Sequence, residues 1–594
     1  MTLRYTFFLS LLVSGLCAQN PTTPLLPRYQ TEQETQWMQL GLSAPPPPSS
    51  GLVTPPTSPV RAMAEWEELQ ALVIAWNGQS TILSEIVRAA REECKVIICC
   101  ESQAVINSAK NILTGKGINI TSNVTFLVAP NNSIWMRDYG PNCVYSNAVD
   151  SLYLVDWIYN RPRPKDDAVP QKIGEYLSVP VYSTTQAPFD LVNTGGNFMS
   201  DGMGTAFASK LIFTENGPNN QYGQSNHSVA EVEDILHDFM GIDRYITMPA
   251  LPYDVIHHID MHMKLLDEET LLIGEYPYGT ADGPQIEANI GYVTSTFQSA
   301  FGTPYKVVRI PMPPDVGNSY PDNGGDYRTY TNAVFVNKTV LVPFYEQRFD
   351  TTAKRIWQES LPGYKIVGID CNNIIGSLGA IHCITREIGV HDPLRVIHQQ
   401  LPCMNHTGWP NGYPVWASLA HRSGIASAKI YYTTDTTAAW QSVDLPDYPL
   451  DDTTWTHKGF IPVQPDGSTV YYYIQATATN GKTVVHPLPA PKGWWKFCVT
   501  NSVATNELQN AELLDIYPNP AAAITCIPIN TAAKTTGSIR VFNTLGQEIA
   551  LVFAGELPAG KSNYFLNAAQ YVPGAYFVQL QTSSQTVLKK LVVK

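Results

Sequence analysis

Apolar positions between residues 57 and 392 alternate between two periods. Leu72 to Trp76 is a short apolar run and predicts a strand. TILSEIVRAAREE then places Ile82, Leu83, Ile86, Val87 and Ala90 at helical spacing. KVIICC, VTFLVAP and SLYLVDWIYN read as further buried strands. Strands and helices keep alternating to about residue 390, which predicts an α/β region. From 393 to 502 the texture changes to short β-type runs such as AKIYYTTDT, THKGFIPV and STVYYYIQATATNGKTVVHPL. Asn480 and Gly481 form a hairpin signal. An immunoglobulin-like β-sandwich fits this length, without the cysteine–tryptophan–cysteine hallmark of antibody domains. Residues 503–594 comprise a linker and a last all-β block, LLDIYPNPAA to LVVK, with turn glycines expected at Gly546 and Gly574.

The first residues break this pattern. Residues 1–18 pair Arg4 with an apolar run and small residues at Gly15 to Ala18, as an export signal does. Residues 19–56 contain APPPPSSGLVTPPTSP and predict an extended spacer with no core of its own. No later stretch is long and apolar enough to span a bilayer. The 594 residues exceed what one core organises. A net charge of −13, with no Lys/Arg block, argues against nucleic-acid binding. The ten cysteines show no regular spacing and no CxxC pair, leaving room for one or two disulfides but no framework or zinc site.

Candidate chemistry sits in four stretches of the α/β region, each expected near a strand end. SIWMRDYGP carries Trp135, Arg137 and Asp138; HHIDMH carries His257, His258, Asp260 and His262; YTN ends at Asn332; IHC ends at Cys383. In a strand, His258 and Asp260 would project to one face. His258 taken alone reads first as a satisfied core or surface histidine, and Asp138 reads equally as a turn residue before Gly140 and Pro141. His258, Asp260 and His262 could also be metal ligands, although no second cluster completes such a site. One cysteine, one histidine and two carboxylates suit a thiolate nucleophile acting on a guanidinium. That planar cation is gripped edge-on by carboxylates.

WMRDYGP, the His-x-Asp pair and the closing IHC together resemble the agmatine deiminase and bacterial (Porphyromonas-type) peptidylarginine deiminase group of guanidine-modifying enzymes. The resemblance implies a five-bladed α/β propeller over residues 57–392. It implies Cys383 as nucleophile, His258 as general acid/base, and Asp138 and Asp260 as guanidinium-binding carboxylates. Asn332 and Trp135 would line the pocket. The chemistry implied is hydrolysis through a covalent thiouronium on Cys383, with no metal and no cofactor. The final block resembles the C-terminal sorting domain of type IX secretion cargo. That implies the type IX machinery as partner and a secreted or outer-membrane-surface location.

The choice of guanidine turns on DWIYNRPRPKDD. Arg161 and Arg163 each precede a proline that holds the backbone extended, and two such arginines can read a carboxylate. Their bland alternative is pairing with Asp166 and Asp167. In the resembling bacterial enzyme such arginines bind a substrate's C-terminal carboxylate. The expectation is therefore a deiminase of peptides and proteins ending in arginine. Agmatine or free arginine is the alternative substrate. Agmatine deiminases usually carry an acid before the paired glycines of NTGGN, where this chain has Thr194. Val255 stands where the peptidylarginine enzyme has an aromatic residue. Neighbours in a strand point apart, so His382 is expected to face away from Cys383, and Gly376 and Gly379 to let the chain pass close to a bound guanidinium.

Overall fold

The computed structural model describes residues 25–40, 51–218, 220–405, 408–448, 455–500, 511–522, 524–544, 546–582 and 585–594. The expected export signal lies outside them.

Five small sheets form among the described residues from Val60 to Gly389. They repeat one plan: an antiparallel pair, then one or two helices, then a strand parallel to the second of the pair. Met263–Leu265 pairs antiparallel with Thr270–Glu275, and the helix Gly283–Thr296 crosses to Lys306–Pro311, parallel to it. Val334–Val336, Thr339–Phe344, the helix Gln347–Ser360 and Lys365–Asp370 do the same. The parallel strands are apolar on both faces because helices cover them. In Leu69–Ala75 (LQALVIA) only Gln70 is not buried. The following helix Ser80–Ala90 buries Ile82, Leu83, Ile86, Val87 and Ala90 as its spacing predicts.

The fifth sheet joins the two ends of this region. Arg386–Gly389 pairs antiparallel with Leu69–Ala75, Arg386 opposite Val73. Leu69–Ala75 in turn pairs in parallel with Lys95–Cys100.

The repeat also places the chemistry. Each unit opens with a tight turn just ahead of its first strand. Met136–Tyr139 precedes Asn142–Ser146, Gly195–Asn197 precedes Met199–Ser200, and Ile259–Met261 precedes Met263–Leu265. Asn332 precedes Val334–Val336, and His382–Ile384 precedes Arg386–Gly389. The candidate residues therefore lie before strands, not at strand ends.

Beyond Gly389, one sheet contains Arg395–Ile397, Tyr413–Ala420 and His457–Ile461. A second is built on Ile425–Thr433, Gln441–Asp444, Thr469–Ala478 and Thr483–His486. His398 lies between them, bonded to the Trp416 carbonyl and the Tyr472 hydroxyl. The predicted hairpin forms at Asn480–Gly481, with Gly481 at φ +90°. One disulfide, Cys403–Cys498, is present among the described residues.

A separate compact unit carries the last block. Its strands Ala511–Leu513, Ile524–Thr531 and Gly560–Asn567 form one sheet. Thr535–Asn543, Glu548–Leu557, Gly574–Thr582 and Thr586–Val593 form another. Ile527, Ile539, Val541, Val578, Leu580 and Leu591 fill its core. Gly546 takes a positive φ of 78°, as a turn glycine should, whereas Gly574 begins a strand.

The idle spacer expected over residues 19–56 is corrected for residues 25–40. Thr31 caps the helix Glu32–Gln39 in a reciprocal capping box with Glu34. Just ahead of it, Arg28 is fully buried.

Candidate active site

Arg28 shows where the site is. Its guanidinium lies between two buried carboxylates. Nε and Nη2 donate to Asp138 Oδ2 and Oδ1 at 2.9 and 2.8 Å. Nη1 and Nη2 donate to Asp260 Oδ1 and Oδ2, both at 3.1 Å. Nη1 also lies 2.6 Å from Cys383 Sγ. Each carboxylate thus takes one edge of the planar cation in a two-point grip.

The turns explain how residues far apart in sequence converge. His258 is the cap of the single turn Ile259–Met261, and Cys383 is the middle of His382–Ile384. Neither pair is in a strand, which corrects two expectations. His258 and Asp260 do not share a strand face, yet His258 Nδ1 stands 3.6 Å from Asp138 Oδ1 while Asp260 accepts from Arg28. His382 does not point away: its Nδ1 contacts Asp260 Oδ2 at 2.8 Å and its Nε2 contacts Glu65 Oε1 at 3.0 Å. In a tight helical turn, adjacent side chains can serve one pocket from two sides.

Asn332 fixes the cysteine. Its Oδ1 accepts from the amides of Ala380 and Cys383 at 3.2 and 3.3 Å, and its Nδ2 donates to Cys383 Sγ at 3.1 Å. Trp135 is buried and donates through Nε1 to the Leu26 carbonyl. Arg137 pairs with Glu387 and supports the His382 carbonyl, so its role is to hold the Cys383 turn.

Arg161 donates through Nε to the Arg28 carbonyl at 2.9 Å. Arg163 pairs with Glu34 at 2.7 Å and donates to the carbonyls of Pro27 and Tyr29. The alternative pairing of these arginines with Asp166 and Asp167 is not what forms. Asp166 instead bonds Ser133 and the Asn132 amide. Val255 is exposed and lines, with Tyr29, Gln30 and Arg161, a cavity of about 460 Å³.

Sequence reasoning missed Gly196, Glu65 and Arg28 as contributors, and the contact that Thr194 makes. Gly196 lies against the guanidinium, where a Cβ would overlap Arg28 Nη2 and stand 2.8 Å from His258 Nδ1. The glycine that clears the cation is therefore Gly196. Gly379 instead lies against Trp135 and Cys383, and Gly376 faces Asp326. Thr194 bonds His258 Nε2 through Oγ1 at 3.0 Å. Glu65 supports His382 and also pairs with Lys264. Arg28 carried one signal, the Thr31-x-x-Glu34 capping pattern that follows it.

The electrostatics follow from burial and this cation. Burial is the largest single influence and would raise the Asp138 and Asp260 carboxyls, but Arg28 together with His258 at Asp138, and with His382 and His258 at Asp260, holds both below their ordinary range. Burial, then the Arg28 charge, lowers His258 from 6.5 to about 3. Burial raises the Cys383 thiol well above its ordinary value, Arg28 pulls it down, and the two carboxylates push it up. The guanidinium is thus the largest influence favouring a thiolate. His258, Asp260 and His262 do not act as one ligand set here: Asp260 holds Arg28 and His382, while His258 holds Thr194. Glu65, His382 and Glu387 cluster closely enough for a metal, but Lys264 and Arg137 already neutralise these carboxylates.

Several known proteins are similar to the region that carries these residues. A curated relative from Yersinia pseudotuberculosis, provisionally named agmatine deiminase, is 26% identical over 359 residues, covering 55% of this chain and 94% of its own. One from Mycoplasma capricolum, similarly named, is 24% identical over 362 residues, 54% of this chain and 94% of its own. A solved structure provisionally titled agmatine deiminase matches with TM-score 0.50 and 22% identity, covering 59% of this chain and 100% of that one. A Porphyromonas gingivalis structure, provisionally titled arginine deiminase, matches with TM-score 0.47 and 20% identity, over 55% and 98%. Residues 515–594 match the secretion system C-terminal sorting domain, which directs the chain to secretion or the outer-membrane surface. No helix among the described residues is long and apolar enough to cross a membrane. Residues 61–388 match the model of the Porphyromonas-type peptidyl-arginine deiminases, and the chain belongs to that family of guanidine-modifying enzymes.

Proposed function

We propose that this protein is a secreted protein-arginine deiminase that converts peptidyl-arginine to citrulline and ammonia. The observation that carries the proposal is a peptide-borne arginine, Arg28, clasped by Asp138 and Asp260 with Nη1 2.6 Å from Cys383 Sγ. The five sheets would be the blades of a propeller, with the pre-strand turns converging on the guanidinium.

The proposed reaction runs as follows. Cys383 gives its proton to His258, and the thiolate attacks the guanidinium carbon. His258 returns that proton to one amino group, the carbon–nitrogen bond breaks, and ammonia leaves. A thiouronium remains on Cys383. His258 then activates water, which adds to the same carbon. The carbon–sulfur bond breaks, Cys383 recovers its proton, and the ureido group of citrulline forms. The positive charge departs with ammonia as ammonium. Citrulline is neutral, so the grip of Asp138 and Asp260 on the product weakens and release follows.

We infer a preference for C-terminal arginine from Arg161 and Arg163. Arg161 meets the carbonyl of the bound arginine, the place where a C-terminal residue carries its carboxylate. Arg163 already holds a carboxylate, that of Glu34. Thr194, where agmatine deiminases usually have an acid, gives His258 a neutral partner. Citrulline should form fastest from a peptide ending in arginine, more slowly from internal arginine, and least from agmatine. Faster turnover of agmatine than of either peptide would refute the assignment.

A further inference from the structure

The group in the site belongs to the protein itself. Residues 25–40 lie across the site as a peptide would. The Leu26 carbonyl is held by Trp135, the Arg28 amide donates to the Ser377 carbonyl at 3.0 Å, and the Arg28 carbonyl is held by Arg161. The carbonyls of Pro27 and Tyr29 are held by Arg163, which also pairs with Glu34 at the start of the capped helix. The chain enters on one side of the guanidinium slot and leaves by Tyr29 and Gln30 along the 460 Å³ cavity. All three guanidinium nitrogens are bonded and the side chain is fully buried. Burying a cation this completely is sustained only because two ionised carboxylates meet it.

We propose that Arg28 is a self-modification site: the enzyme deiminates it in cis, and the conversion opens the site to other substrates. The inference rests on the deiminase chemistry proposed above. Cys383 sulfur bonds to Arg28 Cζ, ammonia leaves with the proton held by His258, and water then displaces the sulfur to leave citrulline at position 28. Until then, Arg28 excludes any other guanidinium, since both need the same two carboxylates. Afterwards the neutral side chain no longer binds Asp138 and Asp260 as a cation. Arg163–Glu34 then remains the main ionic anchor of the segment.

The test uses the full chain. Peptide mass spectrometry after purification and timed incubation should find citrulline at position 28 in the wild type and arginine in Cys383→Ala. The converted fraction should not depend on protein concentration. Cys383→Ala mixed with active chain should keep its arginine. Added arginine peptide should be turned over with a lag, the rate rising about tenfold or more as position 28 converts. Arg28→Ala should show no lag. Arg28→Lys keeps a cation but cannot be deiminated, so it should stay slow. A wild type that deiminates added peptide while position 28 remains arginine would overturn self-modification and leave the deiminase assignment standing. Conversion of the Cys383→Ala chain by active chain would overturn the cis route. If neither the wild type nor Arg28→Ala forms citrulline from any substrate, the deiminase assignment itself fails, and the self-modification with it.

Discussion

Gly196→Ala tests the guanidinium slot with the smallest possible perturbation. The new Cβ would overlap Arg28 Nη2 and lie 3.0 Å from Arg28 Cζ. An ordinary contact is about 3.5–4.0 Å, and the nearest atom, Nη2 at 1.8 Å, sets the displacement, so the rigid guanidinium must retreat by more than about 1 Å. A shift of about 1 Å from the attacking geometry costs on the order of 100-fold, or about 2.7 kcal/mol of activation free energy. Gly196 lies outside the left-handed region, so the backbone itself should accept alanine. Any fall in thermal midpoint should therefore come from displacing Arg28 and be absent when Gly196→Ala is added to Arg28→Ala, while kcat/KM for an arginine peptide falls about 100-fold. Citrulline formation under kcat/KM conditions, with unfolding followed in parallel, measures both. Near-normal kcat/KM would show that substrate does not occupy the position of the Arg28 guanidinium, and much of the mechanism would fall with it.

Cys383→Ala should abolish citrulline formation without unfolding the chain; residual turnover above background would remove the nucleophile assignment. Asp138→Asn leaves Asp260 alone on the cation and should lower kcat/KM by about 100-fold, read in the same assay, because a charge-assisted two-point grip is lost. Arg161→Ala should raise KM for peptides ending in arginine and leave agmatine unchanged; equal loss on both would signal general disruption. His258 is held near 3 by burial first and the Arg28 charge second. Its folded-state value is depressed, so the stability it contributes is present above 6.5 and lost as pH falls from there toward 3. Arg28→Ala should raise the His258 pKa, measured by NMR titration of the ring. A fall would contradict the sign of the coupling.

The sequence made the α/β periodicity legible because strands and helices here bury continuous faces. It also made the chemical residues legible, because polar groups such as Asp138 and Asp260 stand in otherwise apolar stretches. The turns were not legible. IHC and HHID carry the composition of strands, and only their place ahead of the first strand of each unit makes them helical turns. His382 was misplaced for that reason. Arg28 was hidden differently. Its neighbours Leu25, Leu26, Pro27, Tyr29 and Gln30 show no periodic face, and its partners are scattered as far away as Cys383. Only the folded chain brings them together.

The disulfide and the proposed nucleophile set opposite requirements on one secreted chain. Cys403–Cys498 needs an oxidant during export, whereas Cys383 must arrive as a free sulfur. Oxidation and mixed-disulfide formation both need access to a thiolate. With Arg28 in place, Cys383 is fully buried, and burial disfavours its ionisation. Cys94, Cys99, Cys100, Cys143 and Cys371 are buried as well. The segment that fills the site thus also covers this sulfur, so that under the proposed chemistry the bridge seen among the described residues would form while the proposed nucleophile stays out of reach of oxidants.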